Sequence, residues 1–284
     1  MKETDIIWEE FIYGGHWGSI AASAIALATT LILDIKVSWE FLLIVYLGTQ
    51  CIYRYNHSAE LEKDKKSNSP RTNHLNKSSK NHTIITVFYA ILFLTLLIYF
   101  GDKPSIFFGG FLLILGLFFT YKSKTFTKKI IGFKSFYVAF SWSLLPIFTT
   151  IYYSYPLNLN TILFALFVFL RLIIDASFYD LKDIKTDKSQ GLVTLAMSFK
   201  NKNNFLNFLH VLNIISFTPL LYGIVFQIFP LYSILLLLLF FYSFGYIQKA
   251  KNENSDILSL SYILVDGEYY YWPFLLLLGL IVIT

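Results

Sequence analysis

Residues 158–187 read NLNTILFALFVFLRLIIDASFYDLKDIKTD. The first two-thirds of this stretch is almost unbroken Leu, Ile, Phe and Val, long enough to cross the roughly 30 Å hydrocarbon core of a membrane as a helix of about 20 residues. The last third turns abruptly acidic, with Asp180, Asp183 and Asp187 spaced three and four residues apart. On a helix that spacing stacks the three carboxylates on one face. Eight further apolar runs lie on either side, at about 15–33, 38–55, 83–100, 104–121, 133–152, 206–226, 229–247 and 264–284.

The composition agrees. Of 284 residues, 56% are hydrophobic and 14% charged, against about 25% charged in soluble domains, and the mean hydropathy is +0.57. A water-soluble domain has no room to bury that much apolar surface, so lipid is the solvent for most of the chain. The runs are too long for barrel strands and lack strict alternation. The predicted fold is an all-α membrane protein of about nine transmembrane helices around a central cavity, arranged as two repeated four-helix units plus one. It forms a single domain over 1–284, with motif-bearing cytoplasmic loops at 56–82 and 179–203.

Lysine and arginine concentrate after the second, fourth, sixth and eighth runs, whereas the other connections hold only Lys36 and Lys103. The positive-inside rule assigns the basic side to the cytoplasm, with the N-terminus inside and the C-terminus outside, as in a cytoplasmic (inner) membrane. The net charge of +5 therefore signals orientation, and no nucleic-acid partner is expected. The acidic start, Met1 to Tyr13, does not read as a cleavable signal. The single cysteine, Cys51, excludes an intrachain disulfide and a thiolate metal cluster.

Acids have little part in setting orientation, yet they cluster twice: at Asn56-His-Ser-Ala-Glu60-Leu-Glu-Lys-Asp64 and at Asp180 to Asp187. Adding 123 carries Glu60 onto Asp183 and Asp64 onto Asp187, an internal repeat ending twice in the same kind of site. Facing carboxylates hold protons or cations, and all-oxygen ligation with open positions suits Mg²⁺ bridging to a phosphate. The bland alternative is a pair of solvated helix ends, with acids balancing neighbouring lysines.

These residues resemble the signatures of the UbiA superfamily of membrane prenyltransferases. Asp180-x-x-Asp183-x-x-x-Asp187 fits the second signature, and Gly191-Leu-Val-Thr194-Leu195 resembles its tail. Asn56 and Asp64 fit the first, while His57 and Glu60 stand where Asp is usual. Ser69-Pro70-Arg71 resembles the following Pro-Arg segment, and Tyr121, Lys129 and Lys134 the basic loop after helix four. The resemblance implies that Asn56, Glu60, Asp64, Asp180, Asp183 and Asp187 hold Mg²⁺ and the diphosphate of an isoprenyl diphosphate donor. Asp180, Asp183 and Asp187 would be catalytic, with Asn56, Arg71, Lys129 and Lys134 on the diphosphate. Ionisation would give an allyl cation that alkylates a lipophilic acceptor. The rivals are a terpene cyclase of the same family and an ion-binding membrane protein or transporter.

Other polar residues carry two readings each. Arg54, one turn before the first motif, contacts diphosphate or snorkels to the interface. Arg171 and Asp175, four apart inside a span, serve the pocket or neutralise each other. His16 and Trp17 suit an interfacial anchor, His210 packing, and Asp266 a helix cap. The segment 68–82 is a lid or a linker.

Overall fold

The computed structural model describes residues 3–64, 69–77 and 82–283, and over them the chain is helical without strands. Helices α1 (Glu3–Tyr13), α2 (His16–Ile32), α3 (Trp39–Asp64), α4 (Ser69–Lys77), α5 (His82–Phe100) and α6 (Lys103–Thr127) form the first half. Then come α7 (Phe133–Ser143), α8 (Leu145–Tyr152), α9 (Leu159–Ser189), α10 (Lys202–Ser216), α11 (Thr218–Val225), α12 (Leu239–Ala250), α13 (Ile257–Ser259) and α14 (Glu268–Ile283).

The sequence sets these boundaries by identifiable means. Asn158 caps α9 by accepting the Thr161 amide at 3.2 Å, and Asp102 does the same for Ser105 in α6 at 2.9 Å, satisfying donors that a helix start leaves unpaired. Pro146 and Pro219 sit in the first turns of α8 and α11. There a missing amide costs nothing, and each breaks an apolar run into two helices. Helix α9 stops at Gly191, whose φ of +68° is left-handed, a conformation that glycine adopts without steric penalty.

The helices close into a ring. Helix α2 packs on α3, α3 on α5 and α6, α6 on α7, and α7 on α9. Helix α9 then packs on α10, α10 on α12, and α14 returns to α2. Phe164, Phe167, Tyr269 and Trp272 fill the seam between α9 and α14. The outer surface is apolar: Phe107 and Ile281 are each 81% exposed, and Ile84, Phe88 and Ile98 stand out from α5. Such a surface suits acyl chains.

Each of the nine apolar runs falls in helical structure, and the chain is an all-helical integral membrane protein. The number of crossings is a different matter. Among the described residues, six helical stretches are long and apolar enough to cross a membrane. There are seven if the α1–α2 pair, bent by 59°, counts as one. Helices α2 and α14 have 17 and 16 residues, about 24–26 Å at 1.5 Å per residue, short of the usual hydrocarbon thickness. The motif stretches are not loops over most of their length: 56–64 continues α3, 69–77 is α4, and 179–189 continues α9. Of the segment expected as lid or linker, residues 68 and 78–81 lie outside the described residues.

Candidate active site

Because α9 runs unbroken through residue 189, its three aspartates share one face, as their spacing predicts. That face meets the start of α7. The Lys134 ammonium lies 3.0 Å from Asp180 Oδ1 and 3.8 Å from both Asp183 Oδ2 and Asp187 Oδ2. Ser135 Oγ donates to Asp180 Oδ2 at 2.9 Å, and Lys182 Nζ donates to Asp183 Oδ2 at 2.9 Å. Two ammoniums against three carboxylates leave this cluster one negative charge in excess. Burial pushes the Asp187 carboxyl up to about 6; Lys134 opposes the shift, and Asp183 and Asp180 add to it.

Around His57, two turns before the end of α3, the described charges are of the opposite sign. His57 is buried, and desolvation, together with the charges of Arg71, Arg54 and Lys182, holds its imidazole well below the ordinary range. It is therefore neutral, a non-anionic group among three cations. Arg71, on α4, acts electrostatically on His57 of α3 and also on Asp183 of α9. Lys182 of α9 acts on His57 in turn. The ends of α3 and α9, far apart in sequence, thus share one electrostatic neighbourhood.

An apolar cavity of about 230 Å³ opens beside it. Its wall runs along α3 from Asn56 and Tyr53 to Ile44, twelve residues or about 18 Å of helix. Phe93, Phe119, Tyr137 and Trp142 line the facing sides. Tyr137 lies one turn beyond Lys134 on α7, so the carboxylate cluster stands at the polar end of a deep apolar slot.

Among the described residues, no three carboxylate, imidazole or thiol side chains are grouped so as to hold a metal by themselves; Lys134 takes the cation position among the aspartates. The oxygen donors nevertheless fit a hard cation. Asn56 Oδ1, Asp180 Oδ1 and Asp187 Oδ2 are buried without a hydrogen-bond partner, the contact of Asp180 Oδ1 with Lys134 being an ion pair alone. Of these, Asn56 Oδ1 is an unpaired buried acceptor, which is costly, and the two carboxylate oxygens face the Lys134 ammonium; an oxygen-binding Mg²⁺ would suit all three.

The other expected site residues divide. The side chains of Glu60, Asp64 and Tyr121 lie outside the described residues. Lys129 is exposed at the turn after α6 and is not drawn into the cluster. The Arg54 guanidinium pairs with Glu10 of α1. Glu10 also accepts His74 Nε2 at 2.7 Å and lies 3.5 Å from His16 Nε2.

Arg171 does not pair with Asp175, the neighbour that sequence spacing suggested. Its Nη2 reaches across the core to Glu268 of α14, at 2.7 Å and 2.6 Å from the two carboxylate oxygens, and Nη1 donates to Asn213 at 2.6 Å. Asp175 instead accepts from the hydroxyls of Tyr246 and Tyr269. Among the described residues Asp266 makes no helix-cap bond; its Oδ2 accepts the Tyr179 hydroxyl at 2.5 Å. His210 packs on the ring of Phe244. Sequence reasoning passed over Glu268, Ser135 and Lys182; for Glu268 the available signal was an acid opening an apolar run.

The model of the UbiA prenyltransferase family matches residues 17–265. No curated protein sequence matches the chain. Among solved structures, an apo UbiA homologue from Aeropyrum pernix K1 aligns with a TM-score of 0.69 at 11% identity, over 93% of this chain and 97% of its own. A UbiA homologue from Archaeoglobus fulgidus bound to GPP and Mg²⁺ aligns at 0.66 and 12% identity, over 94% and 99%. A structure described as a digeranylgeranylglyceryl phosphate synthase aligns at 0.62 and 13%, over 97% and 98%.

Proposed function

The chain belongs to the UbiA prenyltransferase family, and from that premise we propose that it transfers an isoprenyl group from an allylic isoprenyl diphosphate to a lipophilic acceptor, with Mg²⁺. The observation that carries this reading is the joining of an aspartate cluster, the cations around His57 and an apolar slot at one mouth. The likeness to the Mg²⁺- and GPP-bound Archaeoglobus fulgidus homologue supports the same assignment.

Asn56, Asp180, Asp183 and Asp187, with Glu60 and Asp64 of the first motif, would hold the metal. When bound, Mg²⁺ neutralises charge that builds on the leaving diphosphate, a contribution of several kcal/mol. Lys134 would release the aspartates to the metal and turn to the phosphate, 28% exposed as it is. Arg71 and Lys182 would hold the diphosphate from the α3 side, where neutral His57 adds no repulsion. The isoprenyl tail would lie in the slot below Asn56. Faces of Tyr137, Trp142 and Phe93 line it, and each such face can stabilise an allyl cation by about 2 kcal/mol in a dry site. The motif-bearing end would face the cytoplasm, consistent with the basic loops.

The test is turnover. Membranes containing the protein, given Mg²⁺, labelled isoprenyl diphosphates of several lengths and a lipid extract, should release diphosphate and yield a prenylated lipid identifiable by mass. Donor alone should yield no cyclic hydrocarbon or terpene alcohol; its appearance would turn the assignment to a cyclase. No diphosphate release from any donor would refute the reading.

A further inference from the structure

Transfer to an acceptor bearing a hydroxyl or an aromatic ring hydrogen must dispose of one proton, and the groups described so far are poor takers. Asp180, Asp183 and Asp187 are committed to cations, and His57 sits among three positive charges that oppose its protonation. A fourth carboxylate stands across the mouth. Before α14 the chain winds as a π-helix over Leu260–Val265, a rare geometry concentrated at functional sites, and it delivers Asp266 against α9. Asp266 Oδ2 is fixed by the hydroxyl of Tyr179 at 2.5 Å, and Tyr179 immediately precedes Asp180. Its Oδ1 takes no hydrogen bond among the described residues, and it is not among the sealed polar atoms.

The surroundings point to internal space rather than packed core. Asp266, Tyr179 and Tyr53 lie deep within the helix ring, yet each keeps part of its surface accessible. Tyr53 faces two ways: it lines the apolar slot below Asn56 and is within electrostatic reach of Asp266. The charged and titratable groups around Asp266 are Tyr179 and Lys182 on α9, Tyr53 on α3, Tyr262 in the π-helix and Tyr270 on α14. Glu268, two residues on, is turned away to Arg171.

We propose, resting on the transferase reading above, that Asp266 is the base that accepts the proton lost by the acceptor, with Tyr179 aiming it. The allylic C–O bond breaks, and diphosphate leaves with the electron pair. The acceptor's oxygen or ring carbon forms the new bond to the allyl cation, and its O–H or C–H proton passes to Asp266 Oδ1. Asp266 lies outside the six helical stretches long and apolar enough to cross a membrane, and burial pushes its carboxyl up to about 7, against the lowering effects of the Tyr179 hydrogen bond and the Lys182 charge. A base poised near the working pH transfers protons most effectively. Below about 7 the carboxyl is protonated and cannot accept, so turnover should rise as pH rises through that value.

The experiment uses the full-length protein in detergent with Mg²⁺, tritiated geranyl diphosphate and lipid extract of the native membrane. Asp266→Asn should lower product formation by about 10²-fold or more, keep geranyl diphosphate binding within twofold, and lose the pH limb near 7; Asp266→Glu should recover part of the rate. An Asp266→Asn protein with the wild-type rate, or with the limb intact, overturns the assignment while leaving the transferase reading in place. Loss of donor binding in both variants overturns it in favour of a structural role. A wild-type protein that makes no product from this or any longer labelled isoprenyl diphosphate overturns the proposed function and this assignment with it.

Discussion

Helices α3 and α9 begin alike and end differently. Before each, the chain turns through a left-handed non-glycine residue, Asp34 at φ +53° and Ser154 at +50°. The amide of Ile35 bonds the Thr30 carbonyl at 2.8 Å, and the amide of Tyr155 bonds Thr150 at 2.8 Å. These pairs are offset by 120 residues, and so are the helix starts, Trp39 and Leu159. The acidic motifs are offset by 123. Three extra residues carry the second motif about 4.5 Å further along its axis and turn it by roughly 300°, some 60° short of a full rotation. The later motif gathers aspartates around Lys134; the earlier one presents Asn56 and a neutral His57 beneath arginines. The two ends are alike in how their helices begin, and the altered register, together with His57 and Glu60 in place of the usual aspartates, sets their motifs apart.

The sharpest way to break this contrast is at matched positions. Asp183→Ala should remove turnover by more than about 10³-fold with thermal unfolding unchanged, whereas Glu60→Ala should cost visibly less; equal losses in a diphosphate-release assay would erase the asymmetry. Depth offers the next contrast, since Arg171 and Glu268 are both fully buried, unlike the pairs at the mouth. Arg171→Met should destabilise by about 3–5 kcal/mol, because it strands a buried carboxylate. The double variant Arg171→Leu/Glu268→Leu should regain most of that in a detergent melting curve. His57→Asp would make the α3 end more like α9, and should lower the Mg²⁺ concentration for half-maximal activity roughly fivefold, equivalent to about 1 kcal/mol; no change would mean that the α3 end does not sense metal. Gly191→Ala, at the left-handed stop of α9, should cost about 1–2 kcal/mol and leave the Mg²⁺ requirement intact.

The helical bundle was legible because lipid-length apolar runs admit few other structures. Asp180, Asp183 and Asp187 were legible as a unit because helical spacing alone puts them on one face. Their partners were not. Lys134 was visible as a basic residue near the fifth span, but nothing along the chain aims it at all three aspartates. The misassigned partner of Arg171 has the same origin. A helix that is apolar on every side carries little sign of which face meets which neighbour, so contacts between helices, such as Arg171 to Glu268 or Tyr179 to Asp266, depend on rotations that hydropathy does not encode. Short helices α2 and α14 also show that an apolar run measures composition better than it measures a crossing.

The reach from Arg171 to Glu268 spans 97 residues, which sets a clock on biosynthesis. A ribosome adding about 5–20 residues per second leaves the arginine of α9 without its counter-charge for roughly 5–20 seconds after it emerges. Until the last helix arrives, the nascent bundle holds this cation with Asp175, one turn on, as its neighbouring acid and without its bidentate partner. A chain truncated ahead of Glu268 would never close that contact.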